Sequence, residues 1–220
     1  MEPRPSVWKS TLEEFDAQIN QGDGITGAVA VASIAAAFAV SLLRMVLEII
    51  ARKKESESHR RQLQELLEAA NAEADQLRRT ADDDRAAYGA YRQASRLPRA
   101  AEQERAERHS AMRSALERAT EMPLRAARSA VRAIALCAEA ATLARGDVAA
   151  DIGGAAEILN GAVRAIFASV DANLRRMEDG RFVAEKRDLE ERAARYAEQV
   201  RDRLGSALPN HMEKGGRPLL

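Results

Sequence analysis

Aromatic residues are scarce in this 220-residue chain: one Trp, three Tyr and four Phe, or 4% of the total. A core with so few rings is built from Ala, Leu, Val and Ile, which favours closely packed helices over a sandwich or barrel. Proline and glycine are also sparse, six and twelve residues, and they gather at a few junctions, so long unbroken elements are expected. The single cysteine, Cys137, excludes an intrachain disulfide. Set among Ala133, Ile134, Ala138 and Ala141, it reads as a buried, inert thiol and fits a reducing, cytoplasmic compartment. Net charge is absent too, 34 basic residues against 34 acidic ones. No global field therefore draws nucleic acid or an anionic membrane, and neither is expected as a partner. His59, His109 and His211 lack the spacing of metal ligands, so no metal site or cofactor is readable. A Walker loop, a dinucleotide-binding glycine pattern and a nucleophile elbow are likewise missing.

What the chain does have is helical period. Its apolar fraction of 46% suffices for one core, and the fold class expected is all-α: a single bundle of about six or seven helices around a long Ala-rich central helix. Thr11 to Glu14 offers a capping box ahead of Phe15 and Ile19, starting a short helix that ends near Gly22. The run from Ile25 to Leu43 is long and uncharged enough to be scored as a membrane span. It continues without a loop into Arg44, Glu48 and Arg52, however, and reads better as a central helix packed on most sides. Helical period then holds from Ser56 to Ser95 and again from Ala101 to Glu121, where Pro123 either starts a new helix or kinks a continuous one. Two further helices, about 151–177 and 182–204, complete one domain over residues 1–206, followed by a flexible tail at 207–220.

Within the second long helix, the inward stripe Leu63, Ala70, Ala74, Leu77, Ala81 continues into Asp84, Tyr88 and Tyr91. A carboxylate on a core stripe finds a partner or takes a raised pKa, and Asp84 is the first candidate for proton chemistry. Arg108 sits on the inward stripe of the next helix with Met112 and Leu116. The pair suggests either a buried ion pair that fixes register or a ligand pocket. Asp151 stands at a helix entrance, as an N-cap or a second acid. Asn173 follows Ile166 and Val170 on an apolar face, where a ligand or a neighbouring helix must satisfy its amide. Arg125, Arg128 and Arg132 form a basic line, either a solvated face or a rail for an anionic substrate tail.

The pieces Leu12-Glu13-Glu14-Phe15, an Ala-rich helix ending at Met45-Val46, Asp82 and Asp84 with Tyr88, and Ala94-Ser95-Arg96-Leu97-Pro98-Arg99 come in a telling order. Glu102 and Glu104 with Arg108, Pro123-Leu124, and Asp151 leading to Val170-Asp171-Ala172-Asn173-Leu174 follow. Together, Leu12 to Leu174 resembles the cyclodeaminase domain of formiminotransferase-cyclodeaminase and the cyclodeaminase-type methenyltetrahydrofolate cyclohydrolases. The resemblance implies an all-helical subunit that forms a homodimer and handles a folate-bound one-carbon unit as a small-molecule substrate, with no other cofactor. It implies chemistry at a C–N bond: expelling ammonia from 5-formiminotetrahydrofolate, or opening the 5,10-methenyl ring with water. In that frame Asp84 and Asp151 are the catalytic candidates, and Arg108, Asn173, Gly27, Tyr88 and Ser169 the substrate-binding ones. Three departures stand beside it. The family's Pro-Gly-Gly-Gly-Ser stretch appears as Ile25 to Ala30, keeping only Gly27. Its Gly-Asn stretch has become Ala144 to Asp151, and the first Asn of the last motif is Ser169. These leave open a repurposed cyclase with a non-folate substrate, or a helical dimer that serves as a binding module.

Overall fold

The computed structural model describes residues 6–22, 26–52, 57–144, 148–177 and 179–205. The tail expected at 207–220 lies outside them. After a 3-10 turn at Val7–Lys9, six helices follow among the described residues: α1 (Leu12–Asn20), α2 (Ala28–Ala51), α3 (Glu57–Ser95), α4 (Glu102–Leu143), α5 (Val148–Leu174) and α6 (Gly180–Gly205). No strand occurs among them, so the all-α expectation holds.

Local chemistry sets the boundaries. Thr11 accepts from the Glu14 amide at 3.1 Å while the Glu14 carboxylate accepts from the Thr11 amide at 2.7 Å, closing the capping box foreseen for α1. Gly22, at φ 68, supplies the left-handed turn that follows. Helix α4 continues through Pro123 as one 42-residue helix rather than starting anew there.

The helix packed on the most sides is α4, which meets α2, α3, α5 and α6; the Ala-rich α2, expected at the centre, packs mainly on α3 and α5 and leaves one face uncovered. Ala30, Ala36, Ala37 and Ala39 have essentially no solvent contact. Small side chains at those positions let neighbouring helices approach closely, with Leu43, Leu47, Leu77, Ile134 and Leu159 filling the space between. Burying each of those large side chains contributes about 1.5–3 kcal/mol. By length and hydropathy α2 would also suffice to cross a bilayer. Its outward stripe, Val31, Phe38 and Met45, is apolar and exposed.

Candidate functional site

Cross-helix contacts place the residues by level. Ala81 of α3 packs with Ile34 of α2 and Val7, and Asp83 of α3 pairs with Arg125 of α4 at 3.7 Å. Asn173 of α5 donates to the Ala119 carbonyl of α4 at 2.8 Å. The head of α2, the last third of α3, the first half of α4 and the end of α5 thus share one end of the bundle. Gly27, Asp84, Tyr88, Arg108, Ser169 and Asn173 all belong to that end.

Asp84 is the chemically perturbed group there. It is half-buried, and among the described residues its carboxylate has no hydrogen-bond or ion-pair partner. Burial alone pushes its pKa from 3.8 up to about 7. Its neighbours are engaged elsewhere. Asp82 accepts from the Val7 amide at 3.0 Å, tying the N-terminal turn to α3, and faces Arg85 at 3.9 Å. Trp8 completes that tie, donating from Nε1 to the Arg78 carbonyl at 3.1 Å and meeting Phe38 edge to face. A carboxyl poised near neutrality with no internal partner is equipped to take up and release a proton.

Several expectations need correction. Arg108 does not pair with Asp84. Its Nε and Nη2 donate to the Ser95 carbonyl at 3.2 and 3.0 Å, closing the end of α3, and its guanidinium lines a separate groove with Tyr91. Tyr88 is not a core residue: the inward stripe opens to solvent after Asp84, and Tyr88 is 37% exposed. The buried charge beside Asp84 is instead Arg85, 7% exposed, a position that the three-and-four spacing passed over because the stripe there is two residues wide. Asp151 lies in the first turn of α5 rather than capping it. From Asp151 to Asn173 is most of that helix, about 33 Å at 1.5 Å per residue, so within one chain Asp151 and Asp84 do not meet at one reacting centre.

Asn173 has a structural task. Pro123 has no amide hydrogen, which leaves the carbonyl four residues earlier, that of Ala119, without its helical donor. The Asn173 side-chain amide supplies the missing bond. Ser169, one turn earlier on the same face, is half-buried. Gly27 forms the N-cap of α2 without a side-chain cap, next to the buried Thr26. The Thr26 and Ser33 hydroxyls are buried with no hydrogen-bond partner. Sequence reasoning missed both, although Ser33 falls on the innermost stripe of an otherwise apolar run.

The basic line is a set of ties between helices. Arg125 meets Asp83, Arg128 meets Glu121 and Glu185, and Arg132 meets Glu73, so no substrate rail remains. Cys137 is fully buried, which pushes its thiol up to about 12. Among the described residues, no group of three His, Cys, Asp or Glu side chains converges on a metal-sized position.

An all-helical antiparallel bundle with a desolvated carboxyl, unpartnered among the described residues, toward one end is the class these features define. The profile of the formiminotransferase-cyclodeaminase family matches residues 11–192, and the chain belongs to that family. Comparison with curated proteins finds no matching sequence. Among solved structures, formiminotetrahydrofolate cyclodeaminase from Thermotoga maritima superposes with a TM-score of 0.80 at 22% identity, over 91% of this chain and 98% of that one. At that identity the match speaks for the fold.

Proposed function

We propose that this chain is a cyclodeaminase- or cyclohydrolase-type enzyme that makes or breaks a C–N bond on a folate-bound one-carbon unit, with Asp84 as the proton carrier. The observation that supports this reading is the Asp84 carboxyl: desolvated, without an internal partner, and poised at about 7. Ring closure from a formimino group requires N10 to bond to the one-carbon centre, the amine on that carbon to leave, and a proton to pass from N10 to the departing nitrogen. A carboxylate with a pKa near 7 can accept the first proton and deliver it to the second atom, because neither transfer is steeply uphill. Ser169, Tyr88 and Gly27, at the same end of the bundle, are the candidates for orienting the substrate. Asn173 spends one of its two amide hydrogens on Ala119 and keeps the other, with its oxygen, for a ligand. A second copy of the chain belongs to this reading, covering the exposed Val31, Phe38 and Met45 stripe of α2. Light scattering on Phe38→Asp checks that dimer, and an unchanged mass would refute the face.

The decisive assay incubates the purified chain with 5-formiminotetrahydrofolate, following ammonia release, and with 5,10-methenyltetrahydrofolate, following ring opening. Turnover of either, abolished by Asp84→Asn, is the expected result. No turnover of both, together with no binding of either by calorimetry, would remove the folate reading.

A further inference from the structure

The start of α2 has no cap. Gly27 brings no side chain to it, and the first of its amides with a backbone partner is that of Val31, which donates to the Gly27 carbonyl at 3.2 Å. The amides of Ala28, Val29 and Ala30 have no acceptor among the described residues, although Val29 and Ala30 are buried. The residue before the cap adds a fourth donor: Thr26 is 5% exposed, and its hydroxyl has no hydrogen-bond partner. Buried donors are ordinarily satisfied, and a helix start is a place where one anion satisfies several at once.

Thr26, Gly27 and Ala28 line one end of a groove of about 560 Å³ between the end of α1, the head of α2 and the middle of α5. Its walls are Ile19, Val31 and Ile158, all exposed, with Ala32, Gly161 and Ala165 between them. Among the described residues no charged and no aromatic side chain lines it. Gly161 is informative. A glycine inside a helix weakens it relative to alanine, and a Cβ at this position would meet nothing within 4 Å. Packing within the chain does not require the glycine, whose effect is to keep the groove open. The groove shares only Val31 with the α2 stripe proposed above as the seat of a second copy.

Four donors match the two oxygens and four lone pairs of a carboxylate better than the single oxygen of a carbonyl. The helix start favours negative charge, but with no basic side chain in the lining a second negative charge would go uncompensated, which disfavours a phosphate. Aliphatic walls without a ring to stack on suit a flexible chain rather than a flat body. From Gly27 to Ala35 the groove follows α2 for about 12 Å at 1.5 Å per residue, the reach of an octanoyl chain. We infer that this groove binds an aliphatic monocarboxylate, its head at the start of α2 and its chain along the seam between α2 and α5. The inference goes beyond the folate reading and does not rest on it, since of the substrate residues named there only Gly27 lines this groove.

The test is calorimetry on the full chain with butanoate, hexanoate and octanoate, and with hexanamide, benzoate and hexyl phosphate for comparison. Hexanoate should bind saturably and the amide, benzoate and phosphate more weakly, while each methylene added from butanoate to octanoate should tighten binding about fourfold. Thr26→Val keeps the shape and removes the hydroxyl. It should weaken hexanoate about tenfold without lowering the thermal melt, because no internal hydrogen bond is lost. Gly161→Leu fills the groove from a position with open space and should abolish binding while circular dichroism shows the fold intact. Asp84→Asn should leave the affinity unchanged. Equal binding of hexanoate and hexanamide, an affinity unmoved by Thr26→Val or by Gly161→Leu, a melt lowered by Thr26→Val, loss of binding in Asp84→Asn, or no saturation by about 10 mM would each overturn the assignment. Tighter binding of benzoate, or no gain per methylene, would overturn the aliphatic body, and tighter binding of hexyl phosphate would overturn the choice of carboxylate. A failed folate assay leaves all of these outcomes standing, so the two proposals fall separately.

Discussion

Replacing Asp84 by Asn should stabilise the protein in a pH-dependent way. In the unfolded chain the carboxyl ionises near 3.8; in the folded chain burial raises it to about 7. Between those values the folded state holds a proton that the unfolded state has released, so folding stability falls as pH rises through the interval and levels off above the folded pKa. A separation of about three pH units corresponds to about 4 kcal/mol at 1.36 kcal/mol per unit. That is an upper figure, because the residue keeps part of its solvent contact. Asn matches the protonated acid in shape and never ionises. The variant and the wild type should therefore be nearly equal in stability at pH 4, with the variant pulling ahead steadily to pH 7. A domain of this size gains about 2–4 °C per kcal/mol, so the full difference is on the order of 10 °C at pH 8. Urea titrations at pH 4.5, 6 and 8 measure it directly, since every other titrating group cancels in the difference. Parallel stability curves across that range would show that Asp84 is not desolvated. Gained stability together with lost turnover is the pattern of a group held in an unfavourable state for its chemistry.

Other outcomes follow from the packing. Asn173→Ala should cost about 1–2 kcal/mol by stranding the Ala119 carbonyl; in a Pro123→Ala background, where the helix amide is restored, the same change should cost little, and thermal melts of the four proteins give the coupling. Leu159→Ala, at a position with no solvent contact, should lose about 2–5 kcal/mol in urea unfolding. Cys137, its thiol pushed up to about 12, should resist a thiol-reactive dye at pH 8 until the protein unfolds; prompt labelling of the native protein would contradict its burial.

The helices were legible because their signals are local and repeated. A capping box, a three-and-four stripe, a Gly between α1 and α2 and a Pro between α3 and α4 state most of where α1 to α4 begin and end, and no long-range knowledge is needed to read them. Asp84 was legible for the same reason, as one wrong letter in a long stripe. The partners of polar residues were not. That Arg108 would turn to Ser95 rather than to Asp84 depends on which way α4 rotates as it leaves the loop, and a shift of one residue on a helix moves a side chain by about 100°. The same arithmetic left Tyr88 on the rim and put Arg85 inside. The groove at the start of α2 was beyond reach, since its walls come from three separate parts of the chain.

The bond between Asn173 and Ala119 also bears on how the resemblance should be weighed. Pro123 and Asn173 are both part of the pattern that aligned this chain with the cyclodeaminases, and the pattern alone cannot separate residues that meet substrate from residues that repair a helix. Here the two are joined by one hydrogen bond: the proline removes a donor and the asparagine replaces it. A chain that kept the fold and changed its substrate would still need both, so their presence argues for the scaffold and is silent on the ligand. Asp84 is different in kind, because among the described residues its carboxyl supports no neighbour, and its burial weakens the fold at neutral pH. Structure gives no reason to keep it. Between a retained scaffold pair and a retained structural liability, only the second counts toward chemistry, and the case for an enzyme therefore rests on Asp84 more than on the rest of the matching residues together.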